Sequence, residues 1–314
     1  MEKLRISVCT VVLNEEKTIE KLLESLIFQT LKPWEVIIVD GGSTDKTVDI
    51  IKKIQEKHPF IKLYVKKSNI PEARNFAIKK AKTALIAFID AGCFAKKDWL
   101  EKLVNILKEK DSDIASSLYE MRGKTYLQKA FSLFVGVSKE YFKKNDFIPS
   151  TRSVLLKKTV WEKLGGFNKD LSAGEDHEFF LKAKSMGFRF ANLSNAKVVW
   201  FDFETLGIFD MARKFFNYAK GDAQSFVFWS SKGFFTHNLK ILSVFLRYFL
   251  FLCLFLIDKA IFVVIFCLYL AFSFFKFRKS QVSFKTRAYL PVVQIMADFS
   301  AMAGFLRGLF KKWT

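Results

Sequence analysis

The sequence is poor in the residues that build disulfide-bonded or zinc-stabilised domains. Four cysteines and three histidines occur among 314 residues, and none of them shows the close pairwise spacing of a zinc site. The cysteines are Cys9, Cys93, Cys253 and Cys267, and the histidines are His58, His177 and His237. We therefore expect a reducing compartment and no structural metal.

Acidic residues are also scarce. There are 31 of them against 51 lysines and arginines, which leaves a net charge of +20. Such an excess indicates either nucleic acid or an anionic membrane surface as a partner. No nucleic-acid-binding motif accompanies the charge, and basic residues gather beside an apolar run at 276–279 and again at 311–312. We therefore expect membrane lipids, and no nucleic acid, among the partners.

A long apolar tract lies near the C-terminal end of the chain. It divides into residues 241–257 and 260–275, separated by Asp258 and Lys259, and each piece spans about 25 Å as a helix. A single long span would bury both charges in the hydrocarbon, at roughly 2.5–3.5 kcal/mol for each. A helical hairpin with both ends in the cytosol avoids that cost. We expect such a hairpin, followed by an amphipathic interfacial helix over about residues 290–310.

The first residues contain no apolar leader, because Met1 is followed within a few positions by a strand pattern. We therefore expect residues 1–225 to form one domain on the cytosolic side of the cell membrane, and residues 226–314 to form the membrane region. Within the first of these, residues 215–222 are typical of an amphipathic helix that lies on a bilayer.

Short β-rich runs alternate with amphipathic helical stretches between residues 5 and 113, which is typical of βαβ units around a largely parallel sheet. Strands are predicted at 6–12, 36–39, 61–65 and 84–89. Helices are predicted at 17–28, 46–56, 71–82 and 98–109, and a further one around 126–142. In such α/β folds ligands bind at the carboxyl ends of the strands, which directs attention to residues 13–15, 40–42 and 90–92.

Two of the predicted strands end in a carboxylate, at Asp40 and at Asp90. A strand-turn-helix junction favours glycine and an N-cap for structural reasons alone, which explains Asp45 but leaves Asp40 without a role. Asp90 could hold a divalent cation that neutralises a diphosphate, or it could be an ordinary turn aspartate. The segment alone leaves both interpretations open.

A third acidic motif is Gly174-Glu175-Asp176. Ser172 and Glu175 match a capping box, and acids in a first helical turn are favoured by the helix dipole, so Glu175 has a sufficient structural reason. Asp176 could act as a general base toward an acceptor hydroxyl if it faces a cleft.

The order of these motifs closely resembles glycosyltransferase family 2. The similarity covers about residues 5–225 and depends on 7–16, on 40–45, on 73–75 ahead of 90–92, and on 165–167 ahead of 174–176. It implies the GT-A fold, a Rossmann-like and mostly parallel sheet with flanking helices. It also implies an inverting transfer from a nucleoside-diphosphate sugar, with Mg²⁺ or Mn²⁺ as the cofactor.

The resemblance also assigns roles to single residues. Asp176 matches the catalytic base, and Asp90 matches the first acid of the family's metal-binding motif. The positions that it implies for nucleotide-sugar binding are Val11, Leu13, Glu15, Asp40, Arg74, Asn75, Asp90 and Glu175.

Three positions depart from the family pattern. Gly41 stands where many members have a second aspartate, and residues 11–13 read Val-Val-Leu in place of Pro-Thr-Tyr. Gly92 replaces the second acid of the metal motif, so metal binding would depend on Asp90, the diphosphate and water, with or without another carboxylate. This gap motivates an alternative, a catalytically silent nucleotide-sugar-binding subunit of a glycan-assembly complex.

The acceptor is expected to be a lipid-linked or growing glycan at the cytosolic face of the membrane. Arg152 and Lys157 could meet a lipid phosphate there, although solvated basic residues are commoner. A polyprenyl phosphate acceptor would need no base, because phosphate is already ionised. In that case Asp176 would matter less than the basic residues.

Overall fold

The computed structural model describes residues 4–136, 147–225, 239–278 and 280–312. The chain divides into two compact units. We call Met1–Arg122, Val137–Asp170 and Glu175–Phe203 the sheet unit, and Gly123–Gly136, Leu171–Gly174 and Glu204–Thr314 the helical unit. Residues 204–225 thus pack with the helical unit, and the domain boundary at residue 225 stays a prediction.

The sheet unit is built on eight strands in the order β3-β2-β1-β4-β7-β6-β8-β5. Strand β1 pairs in parallel with β2 and β4, and β2 with β3, as the βαβ pattern predicts. Beyond β4 the sheet is mixed, because β7 runs antiparallel to both β4 and β6. The strands are Ile6–Val12, Glu35–Asp40, Ile61–Val65, Leu85–Phe88, Cys93–Ala95, Ile114–Met121, Val154–Lys157 and Phe190–Trp200, numbered β1 to β8.

Amphipathic helices cover this sheet. Helix α1 turns four apolar side chains inward, and strands β1 and β2 are almost wholly buried. Helices α1 to α4 are Ile19–Ile27, Thr47–Lys57, Ile70–Lys80 and Trp99–Glu109, and α6 and α7 are Lys158–Leu164 and Glu175–Ser185. The α/β alternation predicted for residues 5–113 is therefore confirmed, with the short strand β5 as an addition.

The start of α3 is fixed by a capping box. The Asn69 side chain accepts a hydrogen bond from the Glu72 main chain at 3.0 Å, and the Glu72 carboxylate accepts one from the Asn69 main chain at 3.2 Å. Pro71 lies in the first turn, where its missing N–H costs nothing. These residues set the rotation of α3 and thereby the direction in which Arg74, one turn further on, points.

The helical unit contains six helices within the described residues. They are α5 Tyr126–Val135, α8 Ile208–Gln224, α9 Leu239–Ile257, α10 Lys259–Phe275, α11 Phe284–Ala288 and α12 Leu290–Lys312. Both helices of the predicted hairpin form, and the Asp258 carboxylate caps the second by accepting hydrogen bonds from the main chains of Ala260 and Ile261. The predicted helix at 126–142 forms up to Val135 and ends at Gly136, whose backbone is extended; residues 137–142 lie outside the described residues.

Two stretches of the helical unit are long and apolar enough to cross a membrane, namely Leu239–Ile257 and Phe284–Phe310. Helix α10 is shorter, with 17 residues. Only 6% of the apolar stretch of α9 is buried. Leucine and phenylalanine side chains therefore cover the outside of this helix. The interfacial position expected for residues 290–310 stays a prediction.

Charged residues in these apolar helices meet one another inside the helical unit. The buried Asp298 carboxylate of α12 forms an ion pair with Arg247 of α9 at 2.9 Å and accepts a hydrogen bond from Gln294 at 2.9 Å. It also accepts hydrogen bonds from the hydroxyls of Tyr248 and Tyr269. A charge in an apolar setting is tolerated when it is paired in this way. Asp298 therefore connects α12 to both helices of the hairpin.

Helices α8 and α12 touch through their main chains. A methyl group added at Gly304 would overlap the main-chain oxygen of Phe216, and one at Gly308 would lie 2.6 Å from that of Lys220. Glycines four residues apart on one helix allow this close approach.

This contact gives a prediction about stability. Gly304→Leu should destabilise the helical unit by about 3 kcal/mol, because the side chain must displace a neighbouring backbone. The measurement is thermal unfolding of the detergent-solubilised chain. Ala303→Leu is the matched control, because residue 303 is exposed; equal unfolding temperatures for the two variants would contradict the packing.

Candidate functional site

The carboxyl ends of β1, β2 and β4 lie at one edge of the sheet, because these strands are parallel neighbours. The last residues of these strands and the segments that follow them carry five of the eight residues predicted to bind the nucleotide sugar. A further group arrives from α3 and from the start of α7. This edge is the candidate site.

Asp40 holds the turn that follows β2. Its side chain is fully buried and accepts hydrogen bonds from the main chains of Gly42 and Ser43, at 2.9 and 2.8 Å, and from the Ser43 hydroxyl at 2.5 Å. This is the structural reason that the sequence interpretation did not find, although Asp-Gly-Gly-Ser is a composition typical of an Asx turn. The nucleotide-binding role of Asp40 stays a prediction.

The loops after β1 and β2 are joined by side chains. The Asn14 main chain donates to the Ser43 hydroxyl at 2.8 Å, and the Asn14 amide oxygen accepts from the Thr44 main chain at 2.8 Å. The Glu15 main chain donates to the Thr47 hydroxyl at 2.7 Å. We call residues 13–16 and 41–47 the platform. Its hydrogen bonds join the two loops to each other.

The residues predicted at the platform differ in what they offer. Leu13 is 56% exposed, so its side chain can cover a bound base. The side chain of Val11 is partly buried against the core of the sheet unit. The Glu15 carboxylate accepts a hydrogen bond from the Thr18 hydroxyl, which gives it a role at the start of α1.

Arg74 brings the acidic residues of the site together. Its guanidinium, 8% exposed, forms ion pairs with Asp90 at 2.9 Å and with the buried Glu175. Burial acts against the charged form, but the charges of Asp90, Glu175 and Asp176 outweigh it and raise the pKa of Arg74. One permanently charged group from α3 therefore links the end of β4 to the start of α7.

Asp176 lies beside this cluster and is half-buried. One carboxylate oxygen accepts from the main chain of Thr151 at 3.3 Å, and the other from the His177 main chain at 2.8 Å. Thr151 is fully buried and carries no sequence signal for this task, so sequence reasoning missed it. The contacts orient Asp176 while leaving part of its carboxylate accessible.

The neighbours of Asp176 have shifted proton affinities. Burial raises the pKa of Glu175, an effect that Arg74 opposes and the charge of Asp176 reinforces. Burial lowers the pKa of His177, although Asp176 works in the opposite direction. A neutral imidazole therefore follows the acidic pair at neutral pH.

Asn75 has a structural task. Its amide oxygen accepts from the Phe167 main chain at 2.8 Å and from the Trp161 indole at 2.9 Å, and its amide nitrogen donates to the Phe167 carbonyl at 2.8 Å. A side chain at Gly166 would collide with this amide. Asn75 thus holds the Gly-Gly-Phe turn, and contact with the donor stays a prediction.

Asp90 was the expected metal ligand. Within the described residues no group of three or more histidines, cysteines and acids could hold a metal ion, and Gly92 adopts a φ of 73°. A single carboxylate nevertheless fits Mg²⁺ or Mn²⁺ when substrate phosphates and water complete the coordination. The Asp90 carboxylate is therefore compatible with a cation that binds together with a diphosphate.

The two basic residues considered for a lipid phosphate lie at opposite ends of β7. Lys157 pairs in register with Leu85, at the start of β4, and forms an ion pair with Asp113 at 2.9 Å. Lys157 therefore lies at the end of β7 that is remote from the candidate site, and its ion pair with Asp113 gives it a structural role. Arg152 lies just before β7, next to Thr151, and its guanidinium stacks over the ring of Trp200 at 4.2 Å.

Known proteins are similar to this chain in sequence. The glycosyltransferase AglE of Haloferax volcanii is 26% identical over 58% of this chain and 62% of its own length. The Methanococcus voltae dolichyl N-acetylglucosaminyl phosphate diacetamido-dideoxyglucuronosyltransferase is 29% identical over 59% of this chain and 63% of its own. The chain thus spans less than two thirds of either relative.

A solved structure extends the likeness. The mannosyltransferase PcManGT from Pyrobaculum calidifontis, at 19% identity, superposes with a TM-score of 0.71 over 96% of this chain and 88% of its own. This is a likeness of fold, and it confirms the GT-A architecture. The model of glycosyl transferase family 2 matches residues 7–190, which is more than half of the chain. With the site at the carboxyl edge of its sheet, the chain belongs to glycosyl transferase family 2.

Proposed function

We propose that the chain is an inverting glycosyltransferase that moves a sugar from a nucleoside-diphosphate sugar to a hydroxyl of a lipid-linked glycan acceptor. The observation that carries this proposal is the cluster around Arg74. One guanidinium holds Asp90 and Glu175 together, with Asp176 alongside. A cation and carboxylates at the end of parallel strands suit a diphosphate leaving group and an acceptor hydroxyl.

The donor half of the site comprises the platform, Arg74 and Asp90. The exposed Leu13 and the loop held by Asp40 receive the base and ribose, and Arg74 is close enough to Asp90 to meet the same diphosphate. A divalent cation held by Asp90 would neutralise the charge that develops on the departing diphosphate. The guanidinium of Arg74 supplies a further fixed positive charge.

The acceptor half is centred on Asp176. Its carboxylate takes the proton of the acceptor hydroxyl as that oxygen attacks the anomeric carbon. The new glycosidic bond forms on one face of the sugar while the bond to the diphosphate oxygen breaks on the other. Thr151 and the His177 main chain hold the carboxylate in position. Configuration at the anomeric carbon is inverted because a single displacement occurs.

Relatives support a lipid-linked acceptor. The Methanococcus voltae relative is named for a dolichyl phosphate-linked sugar. The Pyrobaculum calidifontis structure contains GDP-mannose and Mn²⁺, which supports the proposed donor and cation. The helical unit has the apolar exterior of a protein that associates with a membrane. Catalysis at the cytosolic membrane face follows from the same proposal.

Two alternatives are distinguished by the chemistry. A polyprenyl phosphate acceptor is ionised already and would make Asp176 dispensable, with Arg152 the more important residue. A silent nucleotide-sugar-binding subunit would bind the donor without consuming it. Hydrolysis of uridine-, guanosine- and thymidine-diphosphate sugars, with and without Mn²⁺, separates this second alternative from an enzyme.

Asp176→Asn should lower kcat for transfer by about 10³-fold, because a general base typically contributes 10²–10⁴. Donor affinity should change less than twofold, since the side chain keeps its shape. The measurement combines steady-state transfer with equilibrium nucleotide binding. Asp170→Asn, at an exposed carboxylate of the same unit, is the control; wild-type transfer by Asp176→Asn would overturn the assignment of the base.

Arg74→Met should abolish donor binding and destabilise the sheet unit by about 3–5 kcal/mol, because its carboxylate partners would be left without their cation. Arg74→Lys should recover part of the stability and little of the binding, since one ammonium cannot replace the planar fork. Thermal unfolding with and without nucleotide measures both effects. Lys79→Met, at an exposed position of the same helix, should behave as wild type; an unchanged unfolding temperature for Arg74→Met would refute the role.

Chelation by EDTA should remove activity, and Mn²⁺ should restore it. Asp90→Asn should raise the Mn²⁺ concentration for half-maximal activity by about tenfold or more, because the proposed coordination has one protein carboxylate. A titration of Mn²⁺ at saturating donor measures this shift. Full wild-type activity in EDTA would exclude the cation from the mechanism.

A further inference from the structure

A groove runs between α8 and α12 on the surface of the helical unit. It is a shallow depression, open to its surroundings, with a volume of about 610 Å³. It lies beside the close contact at Gly304, where the two backbones touch. The wall residues that matter here are Arg213, Phe216 and Asn217 from α8, and Phe299, Ser300 and Ala303 from α12.

The polar side chains of the groove have no partners among the described residues. No hydrogen bond or ion pair joins the side chain of Arg213, Asn217 or Ser300 to the part of the chain that the structure describes. The nearest acids along the two helices are committed elsewhere: Asp210 accepts from the main chain of Gly207 at 3.1 Å, and Asp298 pairs with Arg247. The groove therefore presents a guanidinium, an amide and a hydroxyl to a ligand.

The rest of the lining is apolar and continues onto the hairpin. The rings of Phe216 and Phe299 form the sides of the groove. The Phe299 ring lies 4.9 Å from that of Tyr248 on α9, and α9 exposes its leucines and phenylalanines along most of its length. An apolar chain leaving the groove would thus stay on apolar surface.

We propose that this groove binds the phosphate and the first isoprenoid units of the acceptor lipid. Arg213 would form a paired hydrogen bond with the phosphate, and Asn217 and Ser300 would donate to its remaining oxygens. The two phenylalanine rings would cover the methyl-branched chain. The inference rests on the proposed function, because a lipid-linked acceptor is what selects an isoprenoid phosphate over other anionic lipids.

The test is direct binding, which needs no turnover. The full chain in detergent micelles is titrated with a radiolabelled polyisoprenyl phosphate. Competitors are the matching polyisoprenol without phosphate, phosphatidylglycerol and inorganic phosphate. Unlabelled polyisoprenyl phosphate should displace the labelled ligand at a concentration at least tenfold lower than any of these three competitors.

Two variants test separately whether binding depends on the charge of the groove and on its shape. Arg213→Gln should weaken binding about tenfold by removing the phosphate contact, and Ala303→Leu should weaken it similarly by filling the groove without a change of charge. Arg307→Gln is the matched control, because Arg307 is an exposed cation of α12 outside the groove; it should bind as wild type. Unfolding temperatures of the three variants verify that each is folded.

Three results would overturn the proposal. The first is equal competition by phosphatidylglycerol, which would mean a general anionic-lipid surface. The second is an equal loss in Arg307→Gln, which would mean attraction by net charge alone. The third is wild-type binding by both groove variants. Nucleotide-sugar binding is measured on the same samples, so that a failure of the glycosyltransferase proposal is recognised separately from a failure of the groove.

Discussion

The guanidinium of Arg74 is buried among carboxylates that reach it from different parts of the sheet unit, and the geometry of the site depends on this arrangement. Asp90 follows β4, whereas Glu175 and Asp176 open α7. Without a cation between them these acids would repel one another at an edge where burial already penalises charge. The capping box of α3 matters for the same reason, since it fixes the helix that carries the guanidinium.

Much of the site was predictable from the sequence, because buried strands followed by acidic or glycine-containing turns are local patterns. The roles of individual polar residues were not. Asp40 and Asn75 were assigned to the ligand, but each also holds a turn through three hydrogen bonds, two of them to the backbone and one to another side chain. Composition does not reveal which side chain a backbone group will select.

Strand direction accounts for another difference. Arg152 and Lys157 are only five positions apart in the sequence, but strand β7 lies between them. Because β7 runs antiparallel to β4, Arg152 lies near the carboxyl end of β4 and Lys157 lies beside the start of β4. Only the residue at the carboxyl edge of β4 remains near the acids. The charges of the apolar helices are similar: Arg247 and Asp298 each interrupt an apolar pattern when viewed alone, and their pairing depends on tertiary packing.

The close contact between α8 and α12 also bears on how the chain is made. Gly304 and Gly308 pack on the backbone of α8, but both apolar helices of the hairpin lie between these partners in the sequence. During synthesis α8 emerges well before the helix against which it packs. The sheet unit can therefore fold while the remainder is still being translated, and the contact between α8 and α12 forms only after α12 has been made. A truncation that removes the final two turns of α12 would take away Gly308 and leave α8 with the contact at Gly304 alone.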